Sequence, residues 1–389
     1  MHLSQKMGLL GTETAFEVLS RAEELKRQGR EIVNLGIGQP DFATAPHIVE
    51  AAIKALKDGQ HGYTPAPGIP ELREATANYI EKNRGVSVDP TNILITPGGK
   101  PTLFFAVLMF GEPGAEILYP DPGFPIYQSM IKFSGATPIP IPLYEKQNFS
   151  FQAENILEKI NPATRLIIIN SPSNPTGGAI PEHELEKLAN GLIHHPHVAV
   201  LSDEIYSRIY YQGGKPTSLL KFAQIRDRLI VLEGWSKTYA MTGWRVGFSL
   251  WPESLIGKAI RLAINCHSCV NSSAQRGALA ALEGPQDAVN KMIAAFDERR
   301  KFVVAALNKL PGVTCRDPVG AFYVFPNITG TGKGSQKLQN ELLEKVGVAT
   351  IAGTSFGDLG EGFLRLSYAN SLENIQLATK KIATFLQST

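Results

Sequence analysis

The chain has 389 residues, which is more than a single hydrophobic core usually organises and therefore predicts two domains. Hydrophobic residues make up 43% of the chain and charged residues 19%, proportions that are typical of a folded globular protein and exclude a disordered one. The 38 basic and 36 acidic residues leave a formal net charge of +2, far from the basic surplus that nucleic-acid or anionic-membrane binding requires, so we expect a small-molecule partner.

The sequence contains no segment that predicts a membrane span or a disulfide framework. The longest apolar run, at 103–110, has eight residues, whereas a membrane-spanning helix needs about twenty. The segment MHLSQKMGLL lacks the apolar stretch and the cleavage site of a secretion signal. Three cysteines, Cys266, Cys269 and Cys315, agree with a reducing compartment. A cytoplasmic location is the resulting expectation.

Strand and helix patterns alternate along the chain. An amphipathic helix at 13–29 and a short strand at 32–35 come first. Five apolar strands separated by helical patterns are then predicted at 92–96, 116–119, 166–170, 199–202 and 229–232. A long helix at 288–310 and a helical stretch at 375–386 follow. The alternation predicts an α/β fold with a mostly parallel sheet between helices, and ligands bind at the carboxyl ends of such strands.

The pattern changes after about residue 286, and this change divides the predicted domains. We expect a large ligand-binding domain at 46–285 and a small C-terminal α+β domain at 286–389. The segment at 1–45 would form an N-terminal arm and part of the small domain, which would therefore be discontinuous.

The turn after the first of the five strands reads Pro-Gly-Gly-Lys-Pro and leads into an apolar helix. Glycine lets the backbone approach a ligand closely, and Pro101 suits a first helical turn, where free amides and the helix dipole attract anions. A phosphate cradle at Gly99 and Lys100 is one interpretation, and an ordinary strand-to-helix turn is the more common one.

Polar side chains follow the last three of these strands. Asn174 follows the third strand, Asp203 and Tyr206 follow the fourth, and Lys237 follows the fifth. A lysine at the mouth of a sheet can lose solvent and become an amine nucleophile, and an aspartate there offers a fixed negative charge. Taken singly, a turn asparagine, a helix-capping aspartate, a half-buried tyrosine and a solvated lysine are the more common interpretations.

These residues stand in strings that resemble one family. The segments SPSNPTGG, SDEIY and SKTYAMTGWRVGF, in this order and spacing, resemble class I and II aminotransferases, which are fold-type I enzymes dependent on pyridoxal 5′-phosphate (PLP). Further matching segments cover nearly the whole chain: NLGIGQPDF at 34–42, GYTPAPGIPELREA at 62–75, TPGGK at 96–100, YPDPGFPIY at 119–127 and FLRLSYANS at 363–371.

The resemblance implies both a fold and an activity. The large domain would bind PLP and contain a mostly parallel seven-stranded sheet, beside a smaller α+β domain. The enzyme would move an amino group between an L-amino acid and a 2-oxo acid by a ping-pong aldimine/ketimine mechanism, with PLP as cofactor and no metal. A homodimer with shared active sites is also implied, in which Tyr63 reaches the phosphate in the neighbouring subunit.

The resemblance further implies the catalytic roles. Lys237 would hold PLP as an imine and, once the substrate has released it, carry the proton between Cα and C4′. Asp203 would pair with the pyridinium nitrogen and keep the ring an electron sink. Asn174 and Tyr206 would hydrogen-bond the phenolic oxygen of the ring.

The remaining site residues follow from the same resemblance. Arg245 would grip the phosphate together with the amides of Gly99 and Lys100 and the hydroxyl of Ser236, and Phe124 would stack on the ring.

At the substrate end, Arg365 would bind the α-carboxylate as a bidentate fork, near Asn174 and the backbone of Gly38.

Three positions depart from patterns common in the family. Many relatives have tryptophan or tyrosine where this chain has Phe124, and serine or threonine where it has Gly234. Some relatives that act on dicarboxylates place a lysine where this chain has Leu108, which disfavours strict aspartate specificity. Arg276 or Lys100 could still supply a cation for a second carboxylate.

Two alternative functions stay open. A PLP-dependent C–S β-lyase would share the residues that form the Cα carbanion. A non-catalytic PLP-binding regulatory module is disfavoured by the near-neutral charge.

Three other patterns suggest sites but are better explained otherwise. The segment Cys266-His267-Ser268-Cys269 lacks a second ligand pair for zinc, and the histidines at 194–197 fit a solvent-facing turn. The glycines at 330–334 lack the serine or threonine of a phosphate-binding loop.

Overall fold

The computed structural model describes residues 1–388, in which strands and helices alternate. The strands are β1 (Val33–Asn34), β2 (Ile93–Thr96), β3 (Glu116–Asp121), β4 (Thr137–Pro142), β5 (Thr164–Asn170), β6 (Ala199–Asp203), β7 (Leu229–Gly234), β8 (Gly247–Leu250), β9 (Tyr323–Val324), β10 (Val348–Ala349), β11 (Ile351–Ala352) and β12 (Leu364–Ser367). The α-helices are α1 (Thr14–Arg27), α2 (Pro46–Lys57), α3 (Pro70–Arg84), α4 (Lys100–Phe110), α5 (Ile126–Ser134), α6 (Ala153–Leu157), α7 (Glu182–Leu192), α8 (Trp235–Thr238), α9 (Glu253–His267), α10 (Ser272–Glu283), α11 (Asp287–Leu307), α12 (Ser335–Val346) and α13 (Leu372–Gln387).

Seven strands form the central sheet, in the order β2-β8-β7-β6-β5-β3-β4. The strands from β7 to β4 pair in parallel, and β8 runs antiparallel to both of its neighbours. The five apolar strands predicted from the sequence are β2, β3, β5, β6 and β7, with nearly the predicted bounds. The α/β fold with a mostly parallel seven-stranded sheet is therefore confirmed.

The sequence patterns did not locate β4 and β8. Strand β8 is short and begins with glycine, so it carries little strand pattern. Strand β4 reads TPIPIP and lies at the edge of the sheet. The amide of Thr137 donates to the Ala115 carbonyl and that of Leu143 to the Asp121 carbonyl, each at 2.8 Å, so alternate amides face β3. The prolines between them face the open edge, where no donor is required.

Apolar side chains cover both faces of the sheet. In β5, Leu166 and Ile168 belong to the apolar cluster on one face, and Ile167 and Ile169 belong to the cluster on the other. This alternation follows from the two-residue period of a strand, and burial on both faces explains why the central strands are almost continuously apolar. Polar groups are consequently displaced to the strand ends.

A third apolar cluster joins the C-terminal helices to the N-terminal segment. It contains residues of α11 and α13 together with Val33 and Leu35. A three-stranded sheet, β11-β12-β9, and the parallel pair β1-β10 belong to the same region. This separate core supports our proposed division into segments 1–45, 46–285 and 286–389, with a discontinuous small domain.

The predicted helices are also present. Helices α1, α11 and α13 correspond to the predictions at 13–29, 288–310 and 375–386. Helix α13 begins earlier than predicted because the Ser371 hydroxyl accepts a hydrogen bond from the amide of Asn374 and caps the helix. None of the helices in the described part of the chain is long and apolar enough to cross a membrane.

Candidate active site

A cavity of about 570 Å³ opens at the carboxyl ends of β5, β6 and β7. It brings together every site residue predicted from the sequence except Tyr63. These lining residues are Gly38, Gly99, Lys100, Phe124, Asn174, Asp203, Tyr206, Ser236, Lys237, Arg245 and Arg365. The positions are therefore as expected for one site, and the roles of the residues remain predictions.

The short helix α8 presents Lys237 to the cavity. Trp235, at the start of α8, is buried, and its indole nitrogen donates to the Ala278 carbonyl at 2.9 Å, which anchors the turn. The Lys237 Nζ atom donates to the Gly38 carbonyl at 2.6 Å. Burial, together with the positive charge of Arg365, lowers the pKa of Lys237 to about 8. A substantial fraction of this amine is therefore neutral at mildly alkaline pH.

Close backbone contact explains the glycine three residues before Lys237. Gly234 pairs with Gly247 across β7 and β8, and a Cβ atom on Gly234 would lie 2.8 Å from the Cα atom of Gly247. A Cβ atom on Gly247 would in turn lie 2.7 Å from the carbonyl carbon of Gly98. A serine or threonine at 234 would require backbone movement, so this departure from the family pattern follows from the packing of three glycines.

Asp203 is a buried carboxylate at the end of β6. Its Oδ2 accepts a hydrogen bond from the Tyr127 hydroxyl at 2.7 Å, and its Oδ1 accepts from the amide of Ile205 at 3.2 Å. Burial raises the pKa of Asp203 to about 6, although the bond from Tyr127 opposes this shift. No arginine or lysine within residues 1–388 donates a hydrogen bond to it. The carboxylate is therefore suited to a cationic N–H group on a ligand.

Arg365, on β12, is a buried cation that retains a free donor. Its Nη1 donates to Asn174 Oδ1 at 2.9 Å and its Nη2 to the Gly36 carbonyl. The rings of Tyr323 and Phe356 lie 4.7 and 4.8 Å from the guanidinium carbon. The Nε atom is buried without a hydrogen-bond partner in the described part of the chain. The fixed fork is suited to a carboxylate.

The phosphate end of the cavity is formed by the turn before α4. Gly98 has a φ of +80°, and a Cβ atom there would collide with the Arg245 guanidinium. Arg245 is oriented by a 2.7 Å bond from Nη1 to the Thr242 carbonyl. Helix α4 begins at Lys100, so its first amides and Arg245 border the same space, next to the buried Ser236. A helix N-terminus beside an arginine is suited to an anion such as phosphate.

Tyr206 and Phe124 line the middle of the cavity. The Tyr206 hydroxyl lies 2.9 Å from the Tyr323 hydroxyl, and burial raises the pKa of Tyr206 well above its ordinary value. The Phe124 ring packs edge-to-face against Tyr127, with ring centroids 5.7 Å apart. A protonated phenol and an apolar ring are thus available to a ligand in this space.

Tyr63 lies outside the cavity of its own chain. Its side chain is 93% exposed, an unusual environment for a large aromatic residue. Such exposure is compatible with the predicted role in a neighbouring subunit.

The residues of the cavity wall that sequence reasoning missed include four with polar groups at the site: Glu13, Tyr127, Asn170 and Tyr323. Asn170 could have been found, since it is a polar residue at the end of an apolar strand. It links two turns, because its Oδ1 accepts from the amide of Asn174 at 2.9 Å and its Nδ2 donates to the Asp203 carbonyl at 3.0 Å. The other three stand in helical or aromatic segments whose patterns do not indicate a site.

The sequence segments that resemble metal-binding or phosphate-binding motifs lie outside the cavity. Cys266 is exposed near the end of α9, and the histidines at 194–197 lie in the turn between α7 and β6. Among residues 1–388, no group of three histidine, cysteine or acidic side chains could hold a metal ion. The glycine-rich segment at 330–334 does not line the cavity.

Comparison with known proteins gives a consistent result. The family model described as aminotransferase class I and II matches residues 30–382. The chain is 39% identical to an aspartate aminotransferase of Pyrococcus horikoshii over 99% of this chain and 97% of the relative. It is 36% identical to aromatic-amino-acid aminotransferase 2 of Thermococcus litoralis over 100% and 99% of the two chains. The crystal structure of the aspartate aminotransferase from Rhizobium meliloti superimposes with a TM-score of 0.95 at 32% identity, covering 100% and 99%.

Proposed function

The chain belongs to the class I and II aminotransferase family and is an aminotransferase, and we propose that it uses PLP to move an amino group between an L-amino acid and a 2-oxo acid. One observation carries the cofactor assignment. The same cavity is lined by the partly neutral amine of Lys237, by the buried carboxylate of Asp203, which has no cationic hydrogen-bond donor, and by an anion-binding turn beside Arg245. These groups match the aldehyde, the pyridinium nitrogen and the phosphate of PLP, respectively.

The residues divide along the cavity according to what they would hold. Arg245, Ser236 and the amides of Gly99 and Lys100 would bind the phosphate, and Asp203 would accept the ring N–H. Phe124 would pack on the ring, and Asn174 and Tyr206 would donate to its phenolic oxygen. Bound PLP supplies an aldehyde that exchanges amines and a ring that accepts the electron pair released at the substrate Cα.

Two side chains would act on the substrate directly. Arg365 would bind the α-carboxylate through its guanidinium fork, since its Nε is a free donor in a buried position. This contact would fix Cα relative to Lys237. The neutral Nζ of Lys237 would then take up the Cα proton, a role to which its lowered pKa suits it. Arg365 therefore positions the substrate, and Lys237 moves the proton.

Covalent trapping tests this assignment. Borohydride reduction of the PLP-loaded protein should fix the cofactor on Lys237, as peptide mass mapping would reveal, and Lys237→Ala should abolish transamination. Cofactor trapped on another lysine, or normal turnover by Lys237→Ala, would refute it.

Release of pyruvate and ammonia from a cysteine conjugate in the absence of a 2-oxo acid would favour the C–S β-lyase alternative.

We further propose that the functional unit is a homodimer with shared active sites. The support is the exposure of Tyr63 and of apolar residues elsewhere on the surface, such as Leu56 and Ile264. A mass of about twice 42.3 kDa in light scattering is the expected result.

A cytoplasmic location is also a proposal. It is supported by the cysteines, because Cys266, Cys269 and Cys315 are all free thiols, as a reducing compartment would keep them.

A further inference from the structure

Glu13 and Lys100 form an ion pair within the wall of the cavity. The Lys100 Nζ atom donates to Glu13 Oε1, and both residues line the cavity. The Glu13 side chain is only 16% exposed. The Lys100 ammonium also lies 6.0 Å from the centre of the Phe16 ring and 5.7 Å from that of Phe124. The Lys100 ammonium of this pair therefore lies near two aromatic rings of the cavity wall.

Helix capping does not explain the position of Glu13. The residue is the N-cap of α1, but its side chain accepts no capping hydrogen bond. Serine, threonine, asparagine or aspartate would cap the helix better. The carboxylate instead extends to Lys100, across 87 positions of sequence.

Glu13 also acts electrostatically on the centre of the site. Burial lowers the pKa of Arg365, and the negative charge of Glu13 opposes that shift. The same charge opposes the lowering of the pKa of Lys237 by burial. Glu13 is therefore within electrostatic range of the two groups that we propose act on the substrate.

The basic residues of the cavity leave one candidate for recognising a second carboxylate. Four basic side chains line it within residues 1–388: Lys100, Lys237, Arg245 and Arg365. The last three have roles toward the cofactor and the α-carboxylate under the function proposed above, on which this argument rests. The position of Leu108 does not line the cavity, and Arg276 is bound to Glu71 and Gln60 outside it. Lys100 is the remaining cation that this chain supplies to its own cavity, and its charge is already paired with that of Glu13.

We infer that Glu13 is a specificity-determining residue, which occupies Lys100 and thereby selects amino donors with uncharged, apolar side chains over aspartate and glutamate. A second carboxylate would have to displace Glu13 from Lys100 and would be repelled by it. An apolar side chain meets Phe16, Leu19 and Leu103, which line the same cavity, and leaves the ion pair intact.

Substituting Glu13 tests the inference. In Glu13→Gln, Lys100 is free to bind a second carboxylate, so kcat/KM for aspartate relative to leucine or phenylalanine should rise by about tenfold or more. The ratio of two donors cancels any common effect on Lys237. The gain should disappear in the double variant Glu13→Gln/Lys100→Met. The matched control is Glu17→Gln. Glu17 is an acidic residue one turn further along α1, and it does not line the cavity.

Binding of an unreactive ligand gives a second measurement. Calorimetric titration of the PLP-loaded enzyme with maleate, which has two carboxylates, and with crotonate, which has one, should show a gain in Glu13→Gln for maleate alone. Wild-type preference for aspartate, glutamate or a basic donor, or an unchanged donor ratio in Glu13→Gln, would overturn the inference. Absence of transamination with every donor would instead refute the proposed function, and the inference with it.

Discussion

Three charged site residues, Asp203, Arg365 and Lys237, are withdrawn from solvent and have an incomplete set of partners. Asp203 receives hydrogen bonds but no cation, Arg365 has a free buried Nε, and Lys237 donates to a carbonyl and not to a carboxylate. Burying a charge is costly unless a partner compensates. Such groups therefore raise the free energy of the empty site, and a ligand that supplies the missing partners binds there favourably.

The lowered pKa of Lys237 predicts its reactivity. In protein freed of PLP, labelling of Lys237 by an amine-reactive reagent should rise with pH through about pH 8, because only the neutral amine reacts. Lysines on the protein surface serve as the internal comparison. Peptide mass spectrometry across a pH series measures both groups in the same sample. A midpoint for Lys237 equal to that of the exposed lysines would contradict this expectation.

At the scale of secondary structure elements, one arginine joins the two strands that carry the reactive groups. Arg84, at the end of α3, lies 2.9 Å from Glu204 and also contacts Glu233, and all three side chains are buried. Glu204 follows Asp203 directly, and Glu233 lies in β7, four residues before Lys237. Arg84 therefore fixes the carboxyl ends of β6 and β7 relative to each other.

Removing the charge of Arg84 should destabilise the fold. Arg84→Met leaves two buried carboxylates without a cation, which should reduce the free energy of unfolding by about 3–5 kcal/mol. Burial already raises the pKa of Glu233. Protonation at low pH relieves the repulsion, so the loss should be smaller at about pH 5 than at about pH 8. Urea unfolding at both pH values measures this.

Two further variants serve as comparisons. Arg84→Lys keeps the charge and should lose less stability. Arg21→Met removes a half-exposed ion pair with Glu24 and Glu344 and should leave the urea midpoint nearly unchanged. An equal effect of Arg84→Met and Arg21→Met would show that the buried pair has no special role.

At the scale of the whole molecule, the exposure of Tyr63 supports the proposed sharing of active sites between two chains. The residue is almost fully exposed and lies outside its own cavity, whereas the other predicted residues line that cavity. A large exposed aromatic side chain is often a contact residue in an assembly. The proposed dimer would bury it at the partner's phosphate end.

Mixing two variants of low activity tests this sharing. Lys237→Ala keeps Tyr63, and Tyr63→Ala keeps Lys237, so a hybrid dimer would contain one complete site if the sites are shared. Transaminase activity should therefore appear after the two weakly active proteins are mixed, dissociated and reassociated. Each variant carried alone through the same treatment is the control. If the mixture is no more active than the average of its components, Tyr63 does not serve a neighbouring subunit.

The sequence by itself determined the fold class and the polar residues that line the cavity at the strand ends. Strands such as β5 are recognisable because burial on both faces demands continuous apolar residues. Polar residues such as Asp203 and Lys237 stand out because they interrupt that pattern at strand ends. The resemblance then assigned them expected roles. Local pattern fails at β4, because prolines are acceptable only where an edge leaves their position unpaired.

Only the tertiary structure decided which distant residues meet. The contact of Glu13 with Lys100 and that of Tyr206 with Tyr323 join positions 87 and 117 residues apart, and neither follows from local propensity. The close approach of Gly234 and Gly247 likewise depends on the pairing of β7 with β8. The physical reason is that a strand or helix is set by nearby residues, whereas an ion pair or a steric limit is set by packing between elements.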